Sequence, residues 1–134
     1  MSYRPPLPKG TIGVLVVEDE TLLLMETADA FAAAGTAVFE ARHADEAMII
    51  LAGRDDISVV VTDLDMPAGQ VSGRQLVDTI LARWPEIGVV ISSGAPTGQG
   101  GLLSERIRFV HKPCRPDDLV NAAFAIVSHL TGSF

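Results

Sequence analysis

Four short tracts in this sequence hold residue types that can do chemistry, and each closes an apolar run. Glu18-Asp19-Glu20 follows Ile12–Val17, and Thr62-Asp63-Leu64-Asp65 closes Ile57–Thr62. Ser92-Ser93-Gly94 closes Ile87–Ser92, and His111-Lys112-Pro113 closes Ile107–His111. If these runs are parallel strands of one sheet, their tips share one edge. Acids, hydroxyls and a lysine then converge from distant parts of the chain. Converging carboxylates repel one another unless something positive joins them. A hard divalent ion is the simple solution, and magnesium takes one or two carboxylates, waters and a phosphate in near-octahedral oxygen geometry. Glu18, Asp19 and Asp63 supply carboxylates, and Lys112 supplies a second positive charge on the opposite side. A carboxylate nucleophile, a metal and a lysine are what phosphoryl transfer needs, namely positioning plus neutralisation of the transferring oxygens.

Each tract alone has a plainer reading. Glu18-Asp19-Glu20 reads as a solvated turn, Asp63 and Asp65 as turn formers, Lys112 as a surface charge and Ser93 as an ordinary strand-end serine. The case rests on all four occurring together, in order, at strand ends. His43, His111 and His129 have no metal-ligand spacing and read as structural or surface residues. Trp84 reads as core or helix end. Asp117-Asp118 reads as a pair favouring a helix N-terminus.

The elements that position these tips follow from periodicity. The apolar runs, with Ala37–Ala41 as a fifth, include continuous Val/Ile stretches that suit parallel strands covered on both faces. Between them, Thr21–Ala34 places Leu24, Ala28 and Phe31 on one helical face, with Gly35 as the stop. Asp45 and Glu46 sit where a second helix starts, and Gly53 follows its end. Ser72 caps a third helix carrying Leu76, Ile80 and Trp84 on one stripe, ended before Pro85. Pro116 opens a last helix with Leu119, Ala123, Ile126 and Leu130 on its buried side. The glycine-rich segment Gly94–Arg106 reads as a loop with at most a short helix over Leu102–Arg106, and it has no GxGxxG or P-loop pattern. Strands alternating with helices make an open parallel sheet with helices on both faces, whose ligands bind at the carboxyl ends of the strands.

The bulk numbers agree with one globular domain. The chain has 134 residues, 48% of them apolar and 20% charged, and a formal net charge of −7. That balance disfavours disorder, and it disfavours an electrostatic grip on nucleic acid or on an anionic membrane. No apolar run approaches the roughly 18 residues of a membrane span, and the N-terminus lacks a signal-peptide h-region. Residues 1–10 are expected to form an extended arm and 11–134 the domain. The lone Cys114 permits no internal disulfide and fits a reduced, cytoplasmic protein.

From Thr11 to Leu130 the chain resembles the receiver domain of bacterial two-component response regulators, CheY-like in fold. The resemblance rests on VLVVEDE, on VVVTDLDMP, on Ser93-Gly94 after a Val/Ile strand, and on FVHKP. It implies a doubly wound five-stranded parallel sheet of order 2-1-3-4-5 with an irregular fourth helical segment. It also implies that Asp63, four residues before Pro67, is the phosphoacceptor. Glu18 and Asp19 would hold Mg2+, Asp19 more directly. The backbone carbonyl of Asp65 would contact the metal, and its side chain would tune the lifetime of the acyl phosphate. Ser93 would be the switch hydroxyl, Lys112 the active-site lysine and Phe109 the aromatic switch residue. Pro113 resembles a proline that often follows a cis bond. Two segments depart from the pattern, the longer loop Ala68–Ser72 and the glycine-rich Gly94–Gly101.

The implied function is a stand-alone phosphoacceptor in a phosphorelay, not a multiple-turnover enzyme. The implied partners are a sensor histidine kinase or phosphotransfer protein, a downstream protein target and, in a homodimer, a second copy. Neither nucleic acid nor membrane is expected as a direct partner. Two alternatives stand beside this reading. Asp63-Leu64-Asp65 also fits the DxD motif of haloacid-dehalogenase-type phosphatases, with Ser93, Lys112 and Asp117-Asp118 mimicking later motifs. In that family the motif lies near the start of a larger fold. The other alternative is a degenerate receiver that binds without being phosphorylated, which the complete acidic, hydroxyl and lysine set disfavours.

Overall fold

The computed structural model describes Leu7 and residues 10–65, 71–94 and 105–132. In chain order the elements are β1 (Gly13–Val17), α1 (Thr21–Ala33), β2 (Ala37–Ala41), α2 (Ala44–Gly53), β3 (Val59–Asp63), α3 (Gly73–Arg83), β4 (Gly88–Ser93), β5 (Ile107–His111) and α4 (Pro116–Thr131). The strands form one parallel sheet of order β2-β1-β3-β4-β5. The expected architecture and strand order are therefore the observed ones. Most of the expected N-terminal arm, the segment 66–70 and the glycine-rich 95–104 lie outside the described residues. So do Pro67 and most of the expected short helix over Leu102–Arg106.

Helices cover both faces of the sheet because the strands alternate their side chains between two cores. One core joins Leu15, Val60, Val89 and Ile91 to Leu51 of α2 and to Leu76 and Ile80 of α3. The other joins Val14, Val16, Val59, Val61 and Val90 to Phe31 of α1 and to Leu119 and Ile126 of α4. The continuous Val/Ile runs are buried along their whole length in β1, β3 and β4. At the sheet edges β2 and β5 are only partly covered, since each has a neighbour on one side alone. Gly13 starts β1 where the loop before β3 crosses it. A Cβ there would lie 2.1 Å from the Asp56 carbonyl oxygen, so no larger residue fits without moving backbone.

Helix ends follow local chemistry. Gly35, at φ +90°, terminates α1, with its N–H on the Ala32 carbonyl and the Thr36 N–H on that of Phe31. His43 caps α2 by accepting the Glu46 N–H at Nδ1. Gly53 is the last residue of α2 rather than the residue beyond it. Arg54 ends the helix instead, drawn into extended backbone by a 2.7 Å ion pair with Asp56 and by stacking 4.1 Å over the Phe39 ring. Ser72 and Gln75 form a reciprocal capping box at the start of α3. At its other end Arg106 donates to the carbonyls of Leu81 and Trp84, groups that a helix C-terminus leaves without helical partners, and to that of Ile87 just before β4. Pro116 opens α4 with Asp117 and Asp118 in its first turn.

Candidate functional site

The alternation that builds the two cores also aims the chemical residues. Asp63 is the last residue of β3 and continues the parity of Val59 and Val61, toward the α1/α4 side. Glu18 lies one residue beyond β1 with the parity of Val14 and Val16, and Lys112 one residue beyond β5 with the parity of Val110. All three strands run the same way, so these side chains meet at one edge. Glu18 and Asp63 are buried, whereas Asp19 is exposed at the rim.

Asp63 is held from two directions. Its Oδ2 lies 2.9 Å from Lys112 Nζ, and its Oδ1 accepts the backbone N–H of Asp65 at 2.8 Å. The peptide bond after Lys112, to Pro113, is cis. Glu18, Asp19 and Asp63 each offer a carboxylate oxygen, all within 4.8 Å of one another. Glu18 Oε2 accepts the Glu20 N–H at 3.1 Å, and the Asp19 carbonyl accepts from Arg42 at 3.2 Å. Ser93, buried at the end of β4, donates its hydroxyl to Asp65 Oδ1 at 3.1 Å. The Gly94 N–H donates to the other oxygen of the same carboxylate at 2.8 Å.

The electrostatics follow from this crowding. Burial pushes the Glu18 carboxyl up from an ordinary 4.5 to about 7. The Glu20 N–H opposes that rise and the neighbouring Asp63 charge adds to it. Burial works against the Lys112 ammonium, but its hydrogen bond to Asp63 and the charges of Asp63, Glu18 and Asp65 outweigh burial and hold its pKa above the usual lysine value. Burial likewise raises the Cys114 thiol, which leaves little thiolate.

The Glu18 shift has a measurable consequence. A carboxyl whose folded pKa lies above its unfolded value binds extra protons in the folded state. Its stabilising contribution is complete below about pH 4.5 and is lost as pH rises through about 7. Without divalent metal, the melting temperature should fall by about 5 °C across that window. Glu18→Gln should remove most of that fall. A variant with the wild-type slope would assign the dependence to another group.

A family model, the response regulator receiver domain, matches residues 14–124. The chain belongs to this family. Solved structures agree. A response regulator receiver domain protein from Clostridium thermocellum is 25% identical, with a TM-score of 0.74 over 90% of this chain and 97% of that one. A two-component transcriptional regulator AraC from Clostridium phytofermentans is 26% identical, with a TM-score of 0.71 over 91% of this chain and 96% of that one. A CheY-like receiver domain protein from Methanospirillum hungatei, at 18% identity, shares the fold with a TM-score of 0.80 over 92% of this chain and 98% of that one. Comparison with curated proteins gives no match.

This receiver domain brings Glu18, Asp19, Asp63, Asp65, Ser93 and Lys112 to one strand edge. Phe109 stands apart from them. It is half-buried on β5 and packs against the α2/α3 core, on the face that Ser93 shares by parity. Two contacts were not legible beforehand, namely Ser93 with the Asp65 side chain and Arg42 with the Asp19 carbonyl. The first pairs residues 28 positions apart and depends on how the β3 tip turns. The second crosses from the residue after β2 to the β1 tip, and no local motif signals it. Of the extended loop before α3, Val71 is pinned through its N–H to Asp45 Oδ1 at 2.9 Å, and Ser72 is the helix cap.

Proposed function

We propose that this receiver domain accepts a phosphoryl group on Asp63 from a phosphohistidine of a sensor histidine kinase or phosphotransfer protein. The observation that carries the reading is Asp63 itself, a buried carboxylate with an ammonium at 2.9 Å and two further carboxylates within 4.8 Å. An Asp63 oxygen attacks phosphorus in line. The new O–P bond forms as the N–P bond breaks, and that bond's electron pair returns to the imidazole. Lys112 offsets charge on the phosphoryl oxygens, and Ser93 donates its hydroxyl to one of them. The three carboxylates fit a hard divalent ion, since acids this close repel without one. Magnesium held by Glu18, Asp19, Asp63 and the Asp65 carbonyl would supply further neutralising charge. Phe109 would follow Ser93 when the switch hydroxyl moves, a shift between two populations rather than a new fold.

Exposed Leu22 and Met25 support a protein donor. They stand three residues apart on the first turns of α1, beside the acidic tip, as an apolar landing for a partner. The phosphorylated domain then acts on a downstream protein target. No helix among the described residues is long and apolar enough to cross a membrane. A cytoplasmic setting fits the reduced Cys114.

The test is incubation with acetyl phosphate and magnesium. One phosphoryl group per chain is expected, released by hydroxylamine as an acyl phosphate is and formed only with divalent metal. No label, or a label resistant to hydroxylamine, would reject acceptance on a carboxylate. Sustained turnover of varied phosphate esters would instead point to a phosphatase.

A further inference from the structure

We infer that the Asp65 side chain is a resting-state latch on Ser93, and that a phosphoryl group on Asp63 must displace it before the switch can turn. The inference rests on the phosphoacceptor reading and assigns a further positioning residue to that same site. It is carried by two hydrogen bonds that close on one carboxylate. Ser93 donates its hydroxyl to Asp65 Oδ1 at 3.1 Å, and Gly94 donates its N–H to Oδ2 at 2.8 Å. The clamp grips the tip of β4 by side chain and backbone together. Its other anchor is rigid, because the Asp65 N–H is held by Asp63 Oδ1 at 2.8 Å. The Cα of Gly94 leaves room for this approach, since even a Cβ there would lie 3.7 Å from Asp65 Oδ2.

The consequence is competition for a single proton donor. A hydroxyl has one O–H to give. While Ser93 gives it to Asp65, it cannot give it to a phosphoryl oxygen on Asp63. Both acceptors are anionic, so both bonds are charge-assisted, and exchanging one for the other costs little net energy. The latched state then lowers the apparent affinity of the site for any group that needs the Ser93 hydroxyl, by the fraction of molecules left unlatched. The like charge of an arriving phosphoryl group pushes on the same carboxylate, which makes displacement the natural response. Asp65 therefore sets the off-state bias of the switch, a role separate from that of its backbone carbonyl.

Two measurements on the intact chain test this. The first uses the unphosphorylated protein. Hydrogen exchange at the Gly94 amide should quicken about ten-fold in Asp65→Ala, because its acceptor is gone. Asp65→Asn is isosteric and keeps one acceptor oxygen, so it should give a smaller change and guards against misfolding of the alanine variant. The second titrates beryllofluoride, a phosphoryl mimic, with magnesium present. Asp65→Ala should bind it about ten-fold more tightly than wild type. In a Ser93→Ala background, Asp65→Ala should bring no further gain, since there is no hydroxyl left to release. An equal gain in that background would mean that Asp65 acts through its charge alone, and the latch would be rejected. A Gly94 amide unchanged in both Asp65 variants would reject it too. A wild-type chain that does not take up beryllofluoride would overturn the phosphoacceptor reading itself. Uptake by wild type with no gain in Asp65→Ala would overturn only the latch.

Discussion

Asp63→Asn should lose phosphoryl acceptance by on the order of a thousand-fold or more, the scale seen when a covalent nucleophile is removed. The chain should stay folded. The substitution keeps the shape of the side chain, and the amide oxygen can still accept the Asp65 N–H that now bonds Oδ1. What disappears is the charge. The carboxylate that pairs with Lys112 at 2.9 Å becomes a neutral amide of much lower nucleophilicity. The loss also reaches Glu18. The Asp63 charge is one of the causes that raise the Glu18 carboxyl, so that carboxyl should titrate lower in the variant. The carboxylate triad falls to two members, and magnesium binding should weaken. The checks are hydroxylamine-sensitive labelling, a thermal melt and a calorimetric magnesium titration. Retention of a wild-type label on a folded Asp63→Asn chain would move the acceptor to another residue.

The legibility of this site in the sequence has a physical cause. A parallel sheet places the carboxyl ends of its strands on one edge, so any polar tract that ends an apolar run must appear there. Glu18, Asp63, Ser93 and Lys112 each lie at such an end or one residue past it. Their convergence therefore needed only the strand runs and the rule of parallel crossovers. The capped helix starts at Ser72 and Pro116 were equally local, because one side chain or one ring carries the signal.

What stayed hidden was set by contacts between elements. Gly53 read as a helix stop because glycine often follows a C-terminus. The helix continues through it because the ion pair and ring contact that end α2 belong to Arg54, and neither is visible in the local pattern. Arg106 closes the C-terminus of α3 from 22 residues beyond Trp84, a reach no periodicity encodes. The Asp65 carboxylate was legible as an acid beside Asp63, but its grip on Ser93 and Gly94 depends on the path of the β3 tip. Phe109 shows the same limit from the other side. Its place on β5 was legible, and its packing against the α2/α3 core needed the sheet register.

Lys112→Ala should move two observables in opposite directions. Phosphoryl acceptance from acetyl phosphate should slow by about a hundred-fold, the usual scale for removing one preorganised charge from a transferring group. Magnesium should bind more tightly. The reason lies in what Lys112 does at rest. Its ammonium sits 2.9 Å from Asp63 Oδ2 and partly offsets the charge of the carboxylates. The Glu18 carboxyl is one that this charge holds down. Removing the lysine takes away the ammonium that pairs with Asp63, so a divalent ion no longer shares Asp63 with a competing charge. The same loss should raise the Glu18 carboxyl further and make the metal-free chain less stable at neutral pH, with added magnesium restoring more stability than in wild type. Lys112→Arg separates charge from shape. It keeps a cation but spreads it over a planar fork, and should recover part of the metal competition without the full transfer rate. A Lys112→Ala chain that labels as fast as wild type would remove the lysine from the transfer step. Weaker magnesium binding in that variant would mean that Lys112 organises the carboxylates rather than competing for them.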